Sequence, residues 1–408
     1  MAVVVPLGVN GICFTRALAA ARIPAVAVTD DLQQPTSRTR LSAVVGHPEI
    51  HTPALVDVLA QLGATAKARP VLFVLADVQA LLVSEHREYL RTWYDFALPS
   101  HEVMQLLLDK LLFSQWAVER NLPVAATWCV REAQQIEDIA AAISYPCILK
   151  PRYRDHRWAS ERLPKGIKIS DASGLRSCYR FVSRWQRQVV ISEWVEGPDS
   201  NLYIGHIYVG RGGSESVVFL TRKLRQYPPS IGTTTLAVAW RDDRLTALTA
   251  NVYSNLDDYH GFGAVEIKID ARSGEPRILE PMAGRCSMIW YPALLQGLNL
   301  AYLAYCDVLG QPAPPWRLSD NPAKWLDERP DLASAWHYIR RGELTVADYL
   351  RSIGGRKVCV HVNWRDPMPG VGLMLETLAL SAQKALSRRS ARESRRTRTT
   401  WEEPPPAH

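Results

Sequence analysis

At 408 residues, with 47% hydrophobic and 22% charged residues, the chain has the composition of a globular protein too long for one small core, so two or three domains are expected. No apolar run is long enough to span a membrane, and the seven scattered cysteines form neither a C-x-x-C pair nor a Cys/His cluster, which argues against structural zinc or a disulfide framework and for a reducing cytoplasm. The net charge of +7 is uneven: residues 150–187 hold eleven Lys or Arg against three Asp or Glu, and residues 387–408 hold six Arg against three Glu.

Residues 2–6 read as a buried first strand, since no basic region precedes the apolar run as it would in a signal peptide. Gly8 and Gly11 read as a turn, residues 12–21 as a helix and 25–29 as a second strand. This β-loop-α-β order opens a parallel sheet, and its Gly-x-x-Gly spacing is not a dinucleotide fingerprint. Residues 53–62 read as a helix and 70–75 as another buried strand. Asp77 follows that strand, where open α/β sheets bind ligands, but capping the next helix is its expected role.

Residues 102–121 carry an amphipathic helical pattern that includes Lys110. Beyond a helix at 132–143, residues 146–150 form a strand ending in Lys150, and a polar basic loop leads to the strand 166–169 with Lys168. Arg176, Arg180, Arg184 and Arg187 recur at helical spacing and read as a solvated helix face. The strand 188–195 ends in Glu193-Trp194-Val195-Glu196-Gly197. Alternating strands follow at 200–208, 216–221 and 234–239, so the region after Lys150 reads as largely antiparallel α+β.

The hairpin at 265–280 carries the most chemistry. Glu266 and Lys268 share one strand face, a turn follows at Ser273-Gly274, and Glu280 returns level with Glu266. Two carboxylates that close repel unless a cation lies between them, and an oxygen-only donor set favours magnesium or manganese. The alternative is a surface hairpin with two solvated Glu residues.

Further on, residues 312–330 are rich in Pro and Trp and read as an irregular wrap. Helices are expected at 332–341 and 345–353, and a last helix at 371–386 with the apolar stripe Leu375, Leu378, Ala379 and Ala382. That stripe is expected to pack on its own domain, the alternative being an anionic membrane reached with the basic sequel. The Arg-rich end reads as disordered, and without interleaved aromatics it argues against nucleic acid.

Taken in order, Lys110, Lys150, Lys168, Glu193-Trp194-Val195-Glu196-Gly197, Glu266 and Glu280 resemble an ATP-grasp domain, and more closely the predicted ATP-grasp carboxylate–amine ligases. The resemblance extends over roughly residues 1–370, through Arg222-Lys223-Leu224-Arg225 with Gly232-Thr233-Thr234, which look like the family's basic loop, the segment 297–305, which looks like its terminal helix, and Thr36-Ser37-Arg38 in the first part. It implies an α/β and α+β multidomain chain, with a Rossmann-like parallel α/β pre-ATP-grasp domain over 1–100, a two-lobed ATP-grasp domain over 101–310, a helical extension over 311–386 and a disordered tail over 387–408.

The same resemblance implies a ligase that activates a carboxylate as an acyl phosphate with ATP and Mg2+ (or Mn2+), then couples it to an amine. Lys110, Lys150 and Lys168 would hold phosphates, Glu193 and the Val195 backbone would face adenine, and Asp199 would reach ribose. Glu266 and Glu280 would hold metal. Arg222, Lys223, Arg225 and Arg285 would hold the acceptor carboxylate or the developing acyl phosphate. Cys286, beside Arg285, is expected to be a buried structural thiol. One departure stands out: the family's Asn two residues after the second Glu is Met282 here, and a thioether is a poor magnesium ligand. A catalytically impaired ATP-binding regulatory protein is therefore a second reading, and a nucleic-acid or membrane-surface binder acting through the tail is a third.

Overall fold

The computed structural model of the chain describes residues 1–152, 164–213 and 216–398. Most of the basic loop expected after Arg152, and residues 399–408 of the Arg-rich end, lie outside these. Three sheets organise the described residues.

The first sheet is parallel: β1 (Ala2–Val5), β2 (Ala25–Thr29), β3 (Ala43–Gly46) and β4 (Val71–Val74), in the order β3-β2-β1-β4. β1 and β4 are buried throughout, as uninterrupted apolar runs are in a sheet covered on both faces. The turn expected at Gly8 and Gly11 is instead the start of the helix Gly8–Ala20. A side chain at Gly11 would place Cβ 2.5 Å from the Pro6 carbonyl oxygen, so only glycine lets this helix leave the strand so tightly.

The second sheet is small and antiparallel: β5 (Thr127–Val130), β6 (Cys147–Pro151), β7 (Ile167–Ile169) and β8 (Val189–Glu193), in the order β5-β8-β6-β7. The helices Gln135–Ala142 and Ala172–Val182 pack on it. They form a core of their own with Val130, Leu149, Leu175 and Ile191. Arg176 pairs with Glu137 on the outer surface at 2.8 Å, the solvated face expected of it, while the helix stops before Arg184 and Arg187.

The third sheet contains β9 (Leu202–Val209), β10 (Ser216–Tyr227), β11 (Thr233–Trp240), β12 (Gly261–Ile269), β13 (Pro276–Ala283), β14 (Lys324–Leu326) and β15 (Lys357–Cys359), in the order β13-β12-β9-β10-β11-β14-β15. All neighbours are antiparallel except β14 and β15. β10 runs to Tyr227, so Arg222, Lys223 and Arg225, expected in a loop, lie on a strand. β14 arises inside the stretch read as an irregular wrap.

Two large apolar clusters join the first and third sheets. In one, Phe14 meets Phe73, Phe262 and Trp290 with ring centroids 4.9–5.5 Å apart. The C-terminal part is tied to both sheets by buried ion pairs. Arg16 donates to Asp366 at 3.2 Å, and Asp366 also accepts from Thr39 at 2.9 Å and the Arg40 N–H at 3.1 Å. The last helix runs Met368–Arg398, past the point where the stripe pattern ends it in the sequence. Among the described residues, no helix is long and apolar enough to cross a membrane.

Candidate active site

A cleft of about 370 Å3 opens between the second and third sheets. Its floor is the β12–β13 hairpin. The turn closes through Gly274, whose φ of 73° suits glycine, with its N–H donating to the Asp270 carbonyl at 2.8 Å. Across the two strands, Glu266 stands directly opposite Glu280, the level placement expected, brought about by a register shift between Glu266 and Ile267 that skips Leu279. A contact from the hairpin to the segment before β5, Ile278 N–H to the Pro123 carbonyl at 2.7 Å, fixes this floor against the small sheet.

Cations surround the two carboxylates. Lys110 opens the helix Lys110–Glu119, and its neighbour Asp109 caps that helix by accepting from the Leu111 and Leu112 N–H groups. Asp109 is itself gripped by Arg152 at 2.6 Å, so the capped turn that presents Lys110 is locked in place. This cap also splits the single helical pattern expected at 102–121 into two helices. Lys150 lies at the end of β6. Lys165 reaches the other sheet, donating to Thr233 at 2.7 Å. Lys223 extends from β10 over β9 and donates to Glu266 at 3.0 Å.

Electrostatics follow from this crowding. Burial pushes the Glu280 carboxyl up, but the Lys150, Lys110 and Lys165 charges together outweigh it and hold the group below the usual carboxylate range. Burial lowers the Lys110 ammonium, opposed by Glu280. Glu280 accepts no side-chain hydrogen bond among the described residues, so its charge is balanced only at a distance. An ionised, unbonded carboxylate beside a second one, ringed by ammonium groups, suits a divalent cation that bridges to phosphate oxygens.

At one end of the cleft, the Glu193 N–H donates to the Ala126 carbonyl and the Trp194 N–H to the Pro146 carbonyl, at 2.9 and 3.2 Å. The next residue, Val195, uses neither its N–H nor its C=O among the described hydrogen bonds, although its side chain is buried. A free donor and acceptor on one residue of a cleft wall are what a purine edge requires. Trp194 carries Lys168 and Lys268 over its ring, at 4.3 and 5.1 Å.

The structure thus brings Lys110, Lys150, Glu193, Val195, Lys223, Glu266, Glu280 and Arg285 to one cleft. Four expected site residues do not line it. Lys168 sits at the rim, half exposed, 4.0 Å from Glu196. Asp199 accepts from the Ser230 N–H at 2.9 Å and from the Tyr338 hydroxyl. Arg222 donates to the Ser200 carbonyl at 2.6 Å and lies over Tyr203 and Trp240. Arg225 is buried on the opposite side, bonded to Asp331 at 2.7 and 2.9 Å and to Ser352. The cause is a register shift between Lys223 and Arg225: residues two apart share a strand face only while pairing is regular.

Asp77 also lines the cleft and does not cap its helix. It grips Arg285, accepting from Nη2 at 2.8 Å. Burial would raise its carboxyl, but Arg285 holds it below the ordinary range. Its place after a parallel strand was the available signal. Lys165, Lys268 and Gln226 are further lining residues that the ordered motif did not single out. Met282 lines the cleft with its sulfur 3.5 Å from Arg285 Nη1. Cys286 is buried and burial pushes its thiol well up, so it is the inert thiol expected.

No protein-family model matches the chain. Over 242 residues the chain is 22% identical to the D-aspartate ligase of Enterococcus faecium (strain Aus0004), spanning 57% of this chain and about half, 56%, of that protein's length. The biotin carboxylase domain of Hydrogenobacter thermophilus 2-oxoglutarate carboxylase, solved with MgADP and bicarbonate, superposes with a TM-score of 0.62 at 13% identity, covering 79% of this chain and 72% of that one. The L-amino acid ligase of Bacillus licheniformis gives 0.57 at 14% identity, covering 75% and 73%. These likenesses show the fold: a parallel sheet joined to a large, mostly antiparallel sheet, with a lysine-lined cleft between the large sheet and the small one, is the ATP-grasp fold.

Proposed function

We propose that the protein is an ATP-dependent carboxylate–amine ligase that forms an amide and releases ADP and phosphate. One observation carries the reading: Glu266 and Glu280 stand opposite each other on a cleft floor faced by Lys110, Lys150, Lys165 and Lys223. Bound Mg2+ or Mn2+, held by the two carboxylates, would neutralise phosphate charge and polarise the γ-phosphoryl group.

The chain's own residues would do the rest. Val195 would receive the adenine edge on its free backbone groups, with Glu193 beside it. Lys110 and Lys150 would clamp the phosphates as point charges. Lys223 and Arg285 would hold the substrate carboxylate, whose oxygen attacks the γ-phosphorus while the bond to ADP breaks. The amine nitrogen then attacks the acyl carbon, loses a proton, and phosphate leaves. No protein nucleophile is needed.

The likeness to a D-aspartate ligase and an L-amino acid ligase supports an amino acid as one substrate. The division into a pre-ATP-grasp part at 1–100, an ATP-grasp part at 101–310 and a helical extension belongs to this proposal, as does a cytoplasmic location. ADP release with purified protein, ATP, Mg2+ and pooled amino acids and carboxylic acids tests it. ADP release is expected when both pools are supplied together; none with the two pools combined overturns the ligase reading.

Met282 favours a second reading, an ATP-binding protein without turnover, because its sulfur faces Arg285 and offers no oxygen to a second cation. Calorimetry that finds Mg2+-dependent ATP binding beside a silent ADP assay would select it.

A further inference from the structure

The helix Met368–Arg398 leaves the body with its apolar side uncovered. Its first turns touch the protein through one edge. Gly372 is buried, so close to Arg38 that an added Cβ would lie 2.7 Å from its Cδ, and Glu376 pairs with Arg329 at 2.8 Å. The opposite edge carries Val371, Met374, Leu375 and Leu378, at i, i+3, i+4 and i+7. These side chains are 37%, 57%, 47% and 60% exposed. Leu375, Leu378, Ala379 and Ala382, the stripe expected to pack on its own domain, are all exposed, so that expectation is not met. Beside the helix start, where Gly370 approaches Val362, the strongly exposed Val362 and Trp364 extend the apolar surface, and Arg365 lies 4.6 Å from the Trp364 ring.

The occupant is indicated by charge. The helix continues into residues 387–398, which hold six Arg against one Glu. A second copy laid parallel on the stripe would bring like charge to like charge, and one laid antiparallel would leave the basic run without a counter-charge from the partner helix's own basic end. An anionic bilayer instead takes leucines into its acyl boundary, a tryptophan at its interface and arginines at its phosphates. The geometry points to this helix as a docking element that lies flat on a bilayer rich in negatively charged phospholipid, holding the rest of the protein at the surface. The inference does not depend on the ligase reading.

The test is co-sedimentation of the full chain with two kinds of vesicle: phosphatidylcholine alone, and phosphatidylcholine mixed in equal parts with phosphatidylglycerol. Binding only to the second kind, weakened by salt, is expected. The double substitution Leu375→Glu and Leu378→Glu should lower that partitioning at least about tenfold while circular dichroism and ATP binding are retained. A chain ending after Gln383, which keeps the stripe and lacks the basic sequel, should lose the preference for the anionic vesicles. No sedimentation with either vesicle, or equal binding to both, overturns the assignment. So does a concentration-dependent dimer that the double substitution abolishes, since a second copy would then be the occupant.

Discussion

Lys223 and Arg225 lie two positions apart on β10, yet the structure gives them opposite fates, and Arg225→Met puts this to the test. Arg225 and Asp331 are both buried, with side chains 4% and 0% exposed. Removing the guanidinium deletes two charged hydrogen bonds, at 2.9 and 2.7 Å, and leaves Asp331 with the Thr235 hydroxyl at 2.9 Å as its remaining polar contact among the described hydrogen bonds. Stripping one partner from a buried ion pair costs about 3–5 kcal/mol, most of it the penalty of an uncompensated charge. Urea unfolding should show a loss of that size, and Arg225→Met with Asp331→Leu should recover most of it, because replacing both partners leaves no buried charge. Mg2+-dependent ATP affinity of the folded variant should stay within a few fold of the parent. A variant as stable as the parent that loses ATP binding would return Arg225 to the cleft and refute the bulge argument.

The remaining expectations concern the cleft and one carboxylate outside it. Lys223→Met strips the partner from the largely buried Glu266, so urea unfolding should show a loss of stability, and kcat for ADP release by the folded variant should fall by about 10²–10³, the loss typical when one fixed donor to developing charge is removed. Glu280→Gln should weaken Mg2+ binding in the nucleotide complex at least about tenfold, measured by metal titration. Because its lysine neighbours hold Glu280 below its ordinary value of 4.5, the stability it contributes is present above pH 4.5 and fades as pH falls through the lowered folded value. The urea-unfolding difference between parent and variant should therefore shrink in acid. Asp327, in contrast, is pushed up to about 6 by burial, against the opposing charge of His361, and its Oδ1 finds no hydrogen bond. Its folded form holds a proton more tightly than its unfolded form, so it costs stability as pH rises from 3.8 through about 6. Asp327→Asn should raise stability at pH 7 by about 3 kcal/mol and flatten that slope, and an unchanged slope would dismiss the assignment.

Residues whose roles follow from local periodicity were legible in the sequence. The hairpin carrying Glu266 and Glu280 with its Gly-containing turn was announced by the residue pattern, as was a buried parallel sheet by the apolar runs of β1 and β4, although the two acids stand level only through a register shift that skips Leu279. What stayed hidden depends on partners far along the chain or on broken regularity. Asp77 meets Arg285 across 208 positions, and Asp109 meets Arg152 across 43. The irregularity within β10 has no signature in Arg222-Lys223-Leu224-Arg225, so all its cations read alike until pairing separated them. Met282 marked a departure from family pattern, but only the fold showed that Arg285 fills the space beside it.

The small sheet keeps an interior of its own, whereas the parallel sheet and the large sheet share theirs and are further clamped by Arg16 and Asp366. Mechanically, that makes one anvil and one hammer. Breathing of the jaws would cost little on the side of Lys150 and much on the side of Glu266 and Glu280. Nucleotide arrival would then be felt as the lighter part swinging in toward the acids, and a loosened hammer, for instance Ile139→Ala in its private interior, would blunt the grip on phosphate without disturbing the acidic floor.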